Sequence, residues 1–277
     1  MAIPRVRPFA ATLIVVFLSA GLAAQEADED EKNEDEKLSQ ERLELMQKFV
    51  GEFECRAEEE DFPEEFELEP IFRYTDPTFS YVAAALWRLG PEGRPRAIVS
   101  TELHRDFFGS PRIVFEYLAL SEAPFSVTSR AARWTPAEGA LDFAPVPDVS
   151  APAETPERRL RQMRNIARRF TASQGNGGSL TELRLLPTPI LRYEESDAER
   201  ADGAIFLYAL GTNPELALFV ESDGEKWTFS AGRLSAAKQI VLTIEDETLW
   251  QAPEKSYGWD QSYTASNLTT EIPGVEP

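Results

Sequence analysis

Apolar residues recur along the chain with two different periods. At three- and four-residue steps they predict two amphipathic helices, the first beginning near Leu38 and the second beginning at Thr155 and Pro156. Thr155 is a suitable N-cap, and proline is favoured in the first helical turn. Elsewhere, short apolar stretches separated by Gly, Asn, Asp and Pro predict antiparallel strands joined by short connections.

The two predicted helices carry apolar residues in the same register. Leu43, Met46, Phe49, Val50 and Phe53 match Leu160, Met163, Ile166, Ala167 and Phe170 at a constant offset of 117 residues. Later matches, at offsets from 114 to 121, include Arg73-Tyr74 with Arg192-Tyr193 and Trp134 with Trp250. A repeat of this length favours duplicated domains over a solenoid. We therefore predict an α+β fold built as a tandem duplication, in which each half packs one amphipathic helix on an antiparallel β-sheet meander. The alternative is one sheet or barrel shared by both halves.

The predicted organisation has six segments. They are a signal peptide (1–24), an acidic disordered spacer (25–37), a first repeat (38–140), a Pro-rich linker (141–154), a second repeat (155–253) and a polar tail (254–277). The signal peptide is indicated by Arg5 and Arg7, a short apolar run and small residues at 21–24, with an uncleaved anchor as the alternative. The protein is thus predicted to be exported to the periplasm or beyond, with no stable membrane span after cleavage.

Charge and side-chain counts exclude several kinds of partner. The formal net charge of −20 disfavours nucleic acid and anionic membrane surfaces. One cysteine, Cys55, allows no intrachain disulfide, and one histidine, His104, cannot complete an ordinary zinc site with it. We expect no metal and no cofactor. His104 is predicted to be a surface residue at a strand end, and no catalytic residue is predicted.

Arginines stand out in this acidic chain as candidates for binding a partner, which would be an envelope protein or a polymer. The candidates are Arg158, Arg161, Arg164 and Arg168 of the second helix, together with the recurring pairs Arg73-Tyr74 and Arg192-Tyr193. The helix arginines could bind a phosphate or an anionic polymer, pair with the acidic spacer or with acidic residues of the first repeat (Glu41, Glu44, Glu52 and Glu54), or form a solvated face. The recurring pairs are predicted to close strand ends, with ligand contact as the alternative.

Several segments of the second half resemble an uncharacterised family of exported bacterial proteins. These segments are 158–164, 183–187 with Arg192-Tyr193, 202–206 and 211–215, and the resemblance extends over about Leu68 to Trp250. It implies an exported protein and assigns no site residue.

Two functions are compatible with these features. The first is an exported, non-catalytic envelope protein that binds a protein, a polymer or an apolar ligand. The alternative is a carboxylate-based hydrolase or isomerase acting in a concave sheet pocket. A deep pocket lined by converging carboxylates or by His104 would favour the enzyme.

Overall fold

The computed structural model describes residues 15–57, 67–76, 81–90, 93–175, 179–194, 202–237, 239–252 and 258–276, with side chains from residue 32 onward. This part of the chain contains two helices, α1 (Val15–Val50) and α2 (Pro156–Ala167). Its strands are β1 (Glu54–Ala57), β2 (Phe72–Asp76), β3 (Tyr81–Leu89), β4 (Ala97–His104), β5 (Arg112–Ala119), β6 (Phe125–Thr128), β7 (Arg133–Trp134), β8 (Ala144–Pro145), β9 (Phe170–Gly175), β10 (Thr181–Glu182), β11 (Arg184–Tyr193), β12 (Asp202–Leu210), β13 (Asn213–Ser222), β14 (Trp227–Arg233), β15 (Gln239–Ile244), β16 (Glu247–Gln251) and β17 (Tyr263–Thr269).

Two five-stranded antiparallel sheets form the centre of the molecule. The first central sheet has the strand order β17-β5-β4-β3-β2, and the second has the order β11-β12-β13-β14-β8. Their facing sides share one apolar cluster, to which Leu86 and Ile98 contribute from the first sheet and Leu207 and Phe219 from the second. The two sheets therefore stack face to face around a common core.

Each central sheet is also covered on its other side by a helix and a smaller sheet. Met46 and Phe49 of α1 pack with Trp87 and Phe115 of the first central sheet and with Trp134 of the three-stranded sheet β1-β6-β7.

On the opposite side, Met163 and Ile166 of α2 pack with Phe206, Leu218 and Phe229, next to the four-stranded sheet β10-β9-β15-β16. Because the central strands are buried on both faces, any polar residue inside them needs a specific partner.

The predicted α+β class is wrong. The described chain is mostly strand, in four antiparallel sheets with two helices, and it does not form two halves that are each a helix on a meander. The sequence pattern located the two helices and most strands, but apolar periodicity does not state which strands pair. Strand β17, from the predicted polar tail, pairs with β5, and β8, from the predicted linker, pairs with β14.

Two predicted segment types also differ from the structure. Residues 25–37, predicted to be a disordered spacer, lie within α1, which starts at Val15 rather than near Leu38. This acidic run contains no proline or glycine, and Lys37 and Glu41 form an ion pair one turn apart, at 3.8 Å. The predicted linker is packed against the sheets, with Leu141 and Val146 buried. Residues 1–14 of the predicted signal peptide lie outside the described residues. No helix in the described part of the chain is long and apolar enough to cross a membrane.

Candidate functional site

A cavity of about 680 Å³ opens where the two central sheets meet at one end. Its walls come from β3, β4, β5 and β17 of the first sheet and from β12 and β13 of the second, with one residue from β9. Three glutamates, Glu102, Glu116 and Glu215, and the single histidine, His104, line it. The structure therefore contains the feature that would favour an enzyme over a non-catalytic binding protein, namely a pocket lined by carboxylates and by His104.

Strand periodicity brings Glu102 and His104 to the same side of β4. Successive residues of a strand point to opposite faces, so residues two apart share a face. Leu103, between them, packs in the core on the α1 side. Thr101 also faces that side, where it accepts a 2.9 Å hydrogen bond from the Trp87 indole nitrogen.

Both carboxylate oxygens of Glu102 are engaged. The Tyr74 hydroxyl donates to Oε1 at 3.2 Å, and Oε2 lies 2.9 Å from Nε2 of His104. His104 is only 7% exposed, so the prediction that it lies on the surface is wrong. The residue closes β4 at the inner end of the cavity, where Tyr81 pairs with it across the strands. The result is a fixed carboxylate–imidazole pair.

Glu116 faces Glu102 from the neighbouring strand β5. It accepts a 2.6 Å hydrogen bond from the Tyr263 hydroxyl of β17 and a 3.4 Å one from the Ser100 hydroxyl. Burial raises the pKa of Glu116 well above its ordinary value, and the negative charge of Glu102 raises it further, while the Tyr263 hydrogen bond opposes the shift. The protonated form of Glu116 is therefore favoured over a wider pH range than for an exposed glutamate.

Glu215 completes the carboxylate cluster from the second central sheet. The Asn213 side-chain amide donates to its Oε1 at 3.1 Å. Burial raises the pKa of Glu215, hydrogen bonds from Ser235 and Gln174 lower it, and the charges of Glu102 and Asp76 raise it again. The cavity thus joins carboxylates from both sheets, which no single sheet could do.

Two buried polar atoms on the cavity wall have no hydrogen-bond partner among the described residues. They are the hydroxyl of Tyr81, a residue that is 2% exposed, and Oε1 of Gln174, a residue that is 9% exposed. Buried polar side chains nearly always find a partner in native proteins. The described residues therefore leave these two hydrogen-bonding groups of the cavity wall unfilled.

The second central sheet carries the same cross-strand arrangement with a different neighbour. Tyr193 donates to Glu221 Oε1 at 2.6 Å, and these residues lie 119 positions after Tyr74 and Glu102. Here the carboxylate also faces the Arg94 guanidinium, 3.3 Å away, instead of a histidine. Arg94 offsets the charge of Glu221, so we interpret the Tyr193–Glu221 hydrogen bond as structural. The Tyr74–Glu102 hydrogen bond instead holds a carboxylate that lines the cavity.

The predicted partner-binding arginines lie on α2, away from this cavity. Arg158, Arg161 and Arg168 are exposed and Arg164 is half-buried. Among the described residues Arg168 bonds to Asn165 at 3.1 Å, and no ion pair of these four arginines with α1 occurs. The interpretation that they pair with the first helix is therefore not supported by the described contacts, and their role in binding a partner stays a prediction.

The recurring Arg-Tyr pairs separate into buried and peripheral members. Tyr74 and Tyr193 are buried, and each bonds across an intervening strand to a glutamate of the next strand but one rather than to a loop. Arg192 bonds to the buried Asp202 at 2.6 Å, where Arg159 of α2 also bonds, at 2.9 Å. Exposed Arg73 donates to the Ser39 hydroxyl of α1 at 2.9 Å.

Sequence reasoning missed most of the cavity. It did not select Glu102, Glu116, Glu215, Tyr81 or Gln174. A signal did exist in β5, where Glu116 interrupts the otherwise apolar and aromatic stretch 113–119. A charged residue at an inward position of a buried strand demands a partner, and so marks a candidate site.

The described residues offer no alternative chemistry of the metal or thiol type. No group of three or more His, Cys, Asp and Glu side chains in this part of the chain is arranged to hold a metal ion. Cys55 lies in the small sheet on the α1 side, and burial raises the pKa of its thiol to about 12. A thiol with such a pKa is a poor nucleophile at neutral pH.

Comparison with known proteins adds no relative to this picture. No family model, no curated protein and no solved structure matches the chain. The function must therefore be argued from the cavity itself.

Proposed function

We propose that this protein is a carboxylate-based enzyme, a hydrolase or an isomerase, that acts on a small neutral molecule in the cavity between the two central sheets. The observation that carries the proposal is the convergence of Glu116, Glu102 and His104 on one cavity, with the Glu102–His104 contact at 2.9 Å. General acid–base catalysis needs one group that holds a proton and another that accepts one.

Glu116 is the proposed proton donor. Its carboxyl group is enclosed and lies near Glu102, so two negative charges would repel each other there. The Tyr263 hydroxyl, at 2.6 Å, holds one carboxyl oxygen in place and leaves the other toward Ser100 at a longer 3.4 Å. A carboxyl group held protonated and oriented in this way can donate to an oxygen atom of a bound substrate.

His104 is the proposed proton acceptor, and Glu102 is its positioning residue. When Nε2 of His104 carries the ring proton and donates a hydrogen bond to Glu102, the other ring nitrogen, Nδ1, is unprotonated and can act as a base. Tyr74 fixes the opposite oxygen of Glu102 and so limits rotation of the carboxylate. The buried carboxylate also stabilises the imidazolium that forms when Nδ1 takes up a proton.

Glu116 as proton donor and His104 as proton acceptor can supply the proton transfers of either reaction. In a hydrolysis, His104 removes a proton from water, the water oxygen bonds to the substrate, the bond to the leaving oxygen breaks, and the leaving oxygen takes the proton of Glu116. His104 then gives up its extra proton to solvent and Glu116 takes one back. In an isomerisation of a hydroxyaldehyde or hydroxyketone, His104 removes a proton from the carbon that carries the hydroxyl group while Glu116 protonates the carbonyl oxygen. His104 then returns its proton to the former carbonyl carbon, and Glu116 takes back a proton from the hydroxyl group on the other carbon. Neither route requires an oxidant or a reductant.

Isotope incorporation tests the proposal and separates the two reactions. The purified protein is incubated with panels of neutral glycosides and esters in ¹⁸O-labelled water and of hydroxyaldehydes and hydroxyketones in deuterated water, with mass-spectrometric detection. We expect incorporation in one panel and a loss of about 10²- to 10⁴-fold in Glu116→Gln. Glu247→Gln, an exposed carboxylate on β16, is the matched control. Turnover in neither panel, or full turnover by Glu116→Gln, contradicts the proposal.

Non-catalytic partner binding is the second candidate, and the arginines of α2 favour it. Arg158, Arg161 and Arg164 follow one another at three-residue steps, and no side-chain hydrogen bond or ion pair is seen for them within the described chain. Such a row of cations on an acidic protein suits an acidic protein or polymer of the envelope. We further propose that the protein is exported, on the basis of the charge and apolar pattern of residues 1–24.

A further inference from the structure

The rim of the cavity carries an exposed aromatic side chain on a sharply bent loop. Phe108 is 85% exposed and has a φ of 57°, a backbone region that bulky residues rarely adopt. The turn is fixed by a 3.0 Å hydrogen bond from the Phe107 amide to the Ser110 carbonyl and by a 2.8 Å bond from the Gly109 amide to the Asp106 carboxylate. The loop therefore holds an apolar ring at the entrance against the usual tendency to bury it.

A series of ring contacts joins this rim to the catalytic candidates. Phe107 stands at a ring-centre distance of 4.5 Å from Phe108 and 5.1 Å from His104, and His104 is 5.3 Å from Tyr81. Edge and tilted contacts at these distances stabilise the relative orientation of aromatic rings. The position of Phe108 is thus coupled to the inner end of the cavity.

The polar lining matches a ligand that both donates and accepts hydrogen bonds. Gln174 has an unpartnered Oε1, and the Tyr81 hydroxyl is also unpartnered among the described residues. The side-chain oxygen of Asn267 accepts from Arg112 at 2.6 Å, so its NH₂ group remains a donor. Asn213 donates to Glu215, so its oxygen remains an acceptor.

The charge of the lining excludes one class of ligand and disfavours another. No lysine or arginine occurs among the described lining residues, so an anion would meet the carboxylates without a counter-charge. A cation would suit ionised carboxylates, but it offers no acceptor to the amide and hydroxyl donors on the wall. A neutral polyol satisfies donors and acceptors together.

We propose that the cavity binds a neutral carbohydrate, with Phe108 as a platform that stacks on the apolar face of a sugar ring at the entrance. This inference rests on the proposed function, since it assigns the substrate class of the same site. It adds Phe108 as a specificity residue and the side-chain amides of Asn267 and Asn213 as groups that bind hydroxyls.

Calorimetry and saturation-transfer NMR with defined probes test the inference. The probes are neutral tetrasaccharides of glucose, xylose, mannose, galactose and N-acetylglucosamine, compared with spermidine as a cation and a glucuronic acid oligosaccharide as an anion. We expect one neutral saccharide to bind, and Phe108→Ala to weaken its affinity by roughly tenfold. Trp259→Ala, at an exposed aromatic residue outside the lining, should bind as tightly as the wild type.

The outcomes separate the carbohydrate-binding inference from the proposed enzymatic function. Binding of no neutral saccharide, stronger binding of spermidine or of the glucuronide, or equal affinity of Phe108→Ala and wild type each overturn the inference. Phe108→Gly is a second variant, because glycine relieves the positive φ and cannot fail through backbone strain. A saccharide that binds through Phe108 without turnover leaves this inference standing and contradicts the proposed enzyme. Glu116-dependent turnover of a substrate that is not a carbohydrate contradicts this inference and leaves the proposed enzyme standing.

Discussion

Glu102 Oε2 and His104 Nε2 lie 2.9 Å apart, although the two residues sit on one strand with a core leucine between them. Both faces of β4 are buried, and this burial keeps the side chains of Glu102 and His104 from rotating into solvent. We expect His104→Ala to lower turnover by about 10²- to 10⁴-fold while the affinity for the saccharide changes little. Glu102→Gln should lower turnover by less than His104→Ala does, and it should shift the pH optimum, because Glu102 acts on the reaction through His104.

Kinetics over a range of pH measure both effects. If His104→Ala loses affinity and turnover in equal proportion, His104 is a binding residue and not the proton acceptor. Thr101→Ser provides a control on the same strand, because the remaining hydroxyl can still accept from Trp87 on the opposite face.

Glu116 should make the protein less stable as the pH rises. Its pKa is raised in the folded state, so the stability it contributes is complete below its ordinary pKa of 4.5 and is lost as the pH rises through the raised value. Glu116→Gln removes this titration and keeps an acceptor for Tyr263. The free energy of unfolding of the variant should therefore increase relative to that of the wild type as the pH rises from 5 to 8. The increase should be less than about 1.4 kcal/mol per pH unit.

Denaturant titrations at several pH values provide the measurement. Glu215 also has a raised pKa and its charge acts on Glu116, so the difference between wild type and Glu116→Gln measures the titration of Glu116 together with its coupling to Glu215. A constant difference across this range would mean that Glu116 is ionised in the folded protein throughout.

Gly203 should be intolerant of a side chain. A Cβ atom at this position would lie 2.3 Å from Cε2 of Tyr193, so alanine must displace the ring and strain its bond to Glu221. We expect Gly203→Ala to destabilise the protein by about 1–3 kcal/mol in chemical denaturation. The corresponding residue beside Tyr74 is Ala84, and there the tyrosine–glutamate distance is longer, 3.2 Å instead of 2.6 Å.

Tyr193→Leu in the Gly203→Ala background tests the cause. Leucine is smaller than tyrosine and makes no hydrogen bond to Glu221. If the steric explanation is right, the alanine costs less in that background than in the wild type, as a double-mutant cycle would show. Equal costs in the two backgrounds would point to the backbone instead.

Asp202 should contribute far more to stability than the exposed arginines of α2. Its side chain is 0% exposed and binds Arg159 at 2.9 Å and Arg192 at 2.6 Å. Asp202→Ala removes the one buried carboxylate that Arg159 and Arg192 share and should cost about 3 kcal/mol, although Arg192 keeps Glu194 at 3.8 Å. Arg158→Ala, as the control on the same helix, should stay within about 0.5 kcal/mol. Thermal and denaturant unfolding compare them directly, and similar losses would contradict this assignment.

The sequence alone determined the local elements. Apolar stretches that predict strands, such as residues 97–104, 112–119 and 239–244, form β4, β5 and β15, and the apolar faces of both helices pack on the cores. Local periodicity is sufficient for this because each element must bury one face or both. The predicted α+β duplication failed because periodicity carries no information on which strands pair.

Only the tertiary structure decided the site. Glu102, Glu116, Glu215 and Gln174 come from four strands in three different sheets, and the local sequence around each does not state that they meet. The stacking of the two central sheets brings them to one cavity and buries His104, which its own segment places at an ordinary strand end. Burial and the mutual repulsion of carboxylates then raise the pKa of Glu116 and Glu215. Both effects depend on distances across the sheets, which the order of residues does not contain.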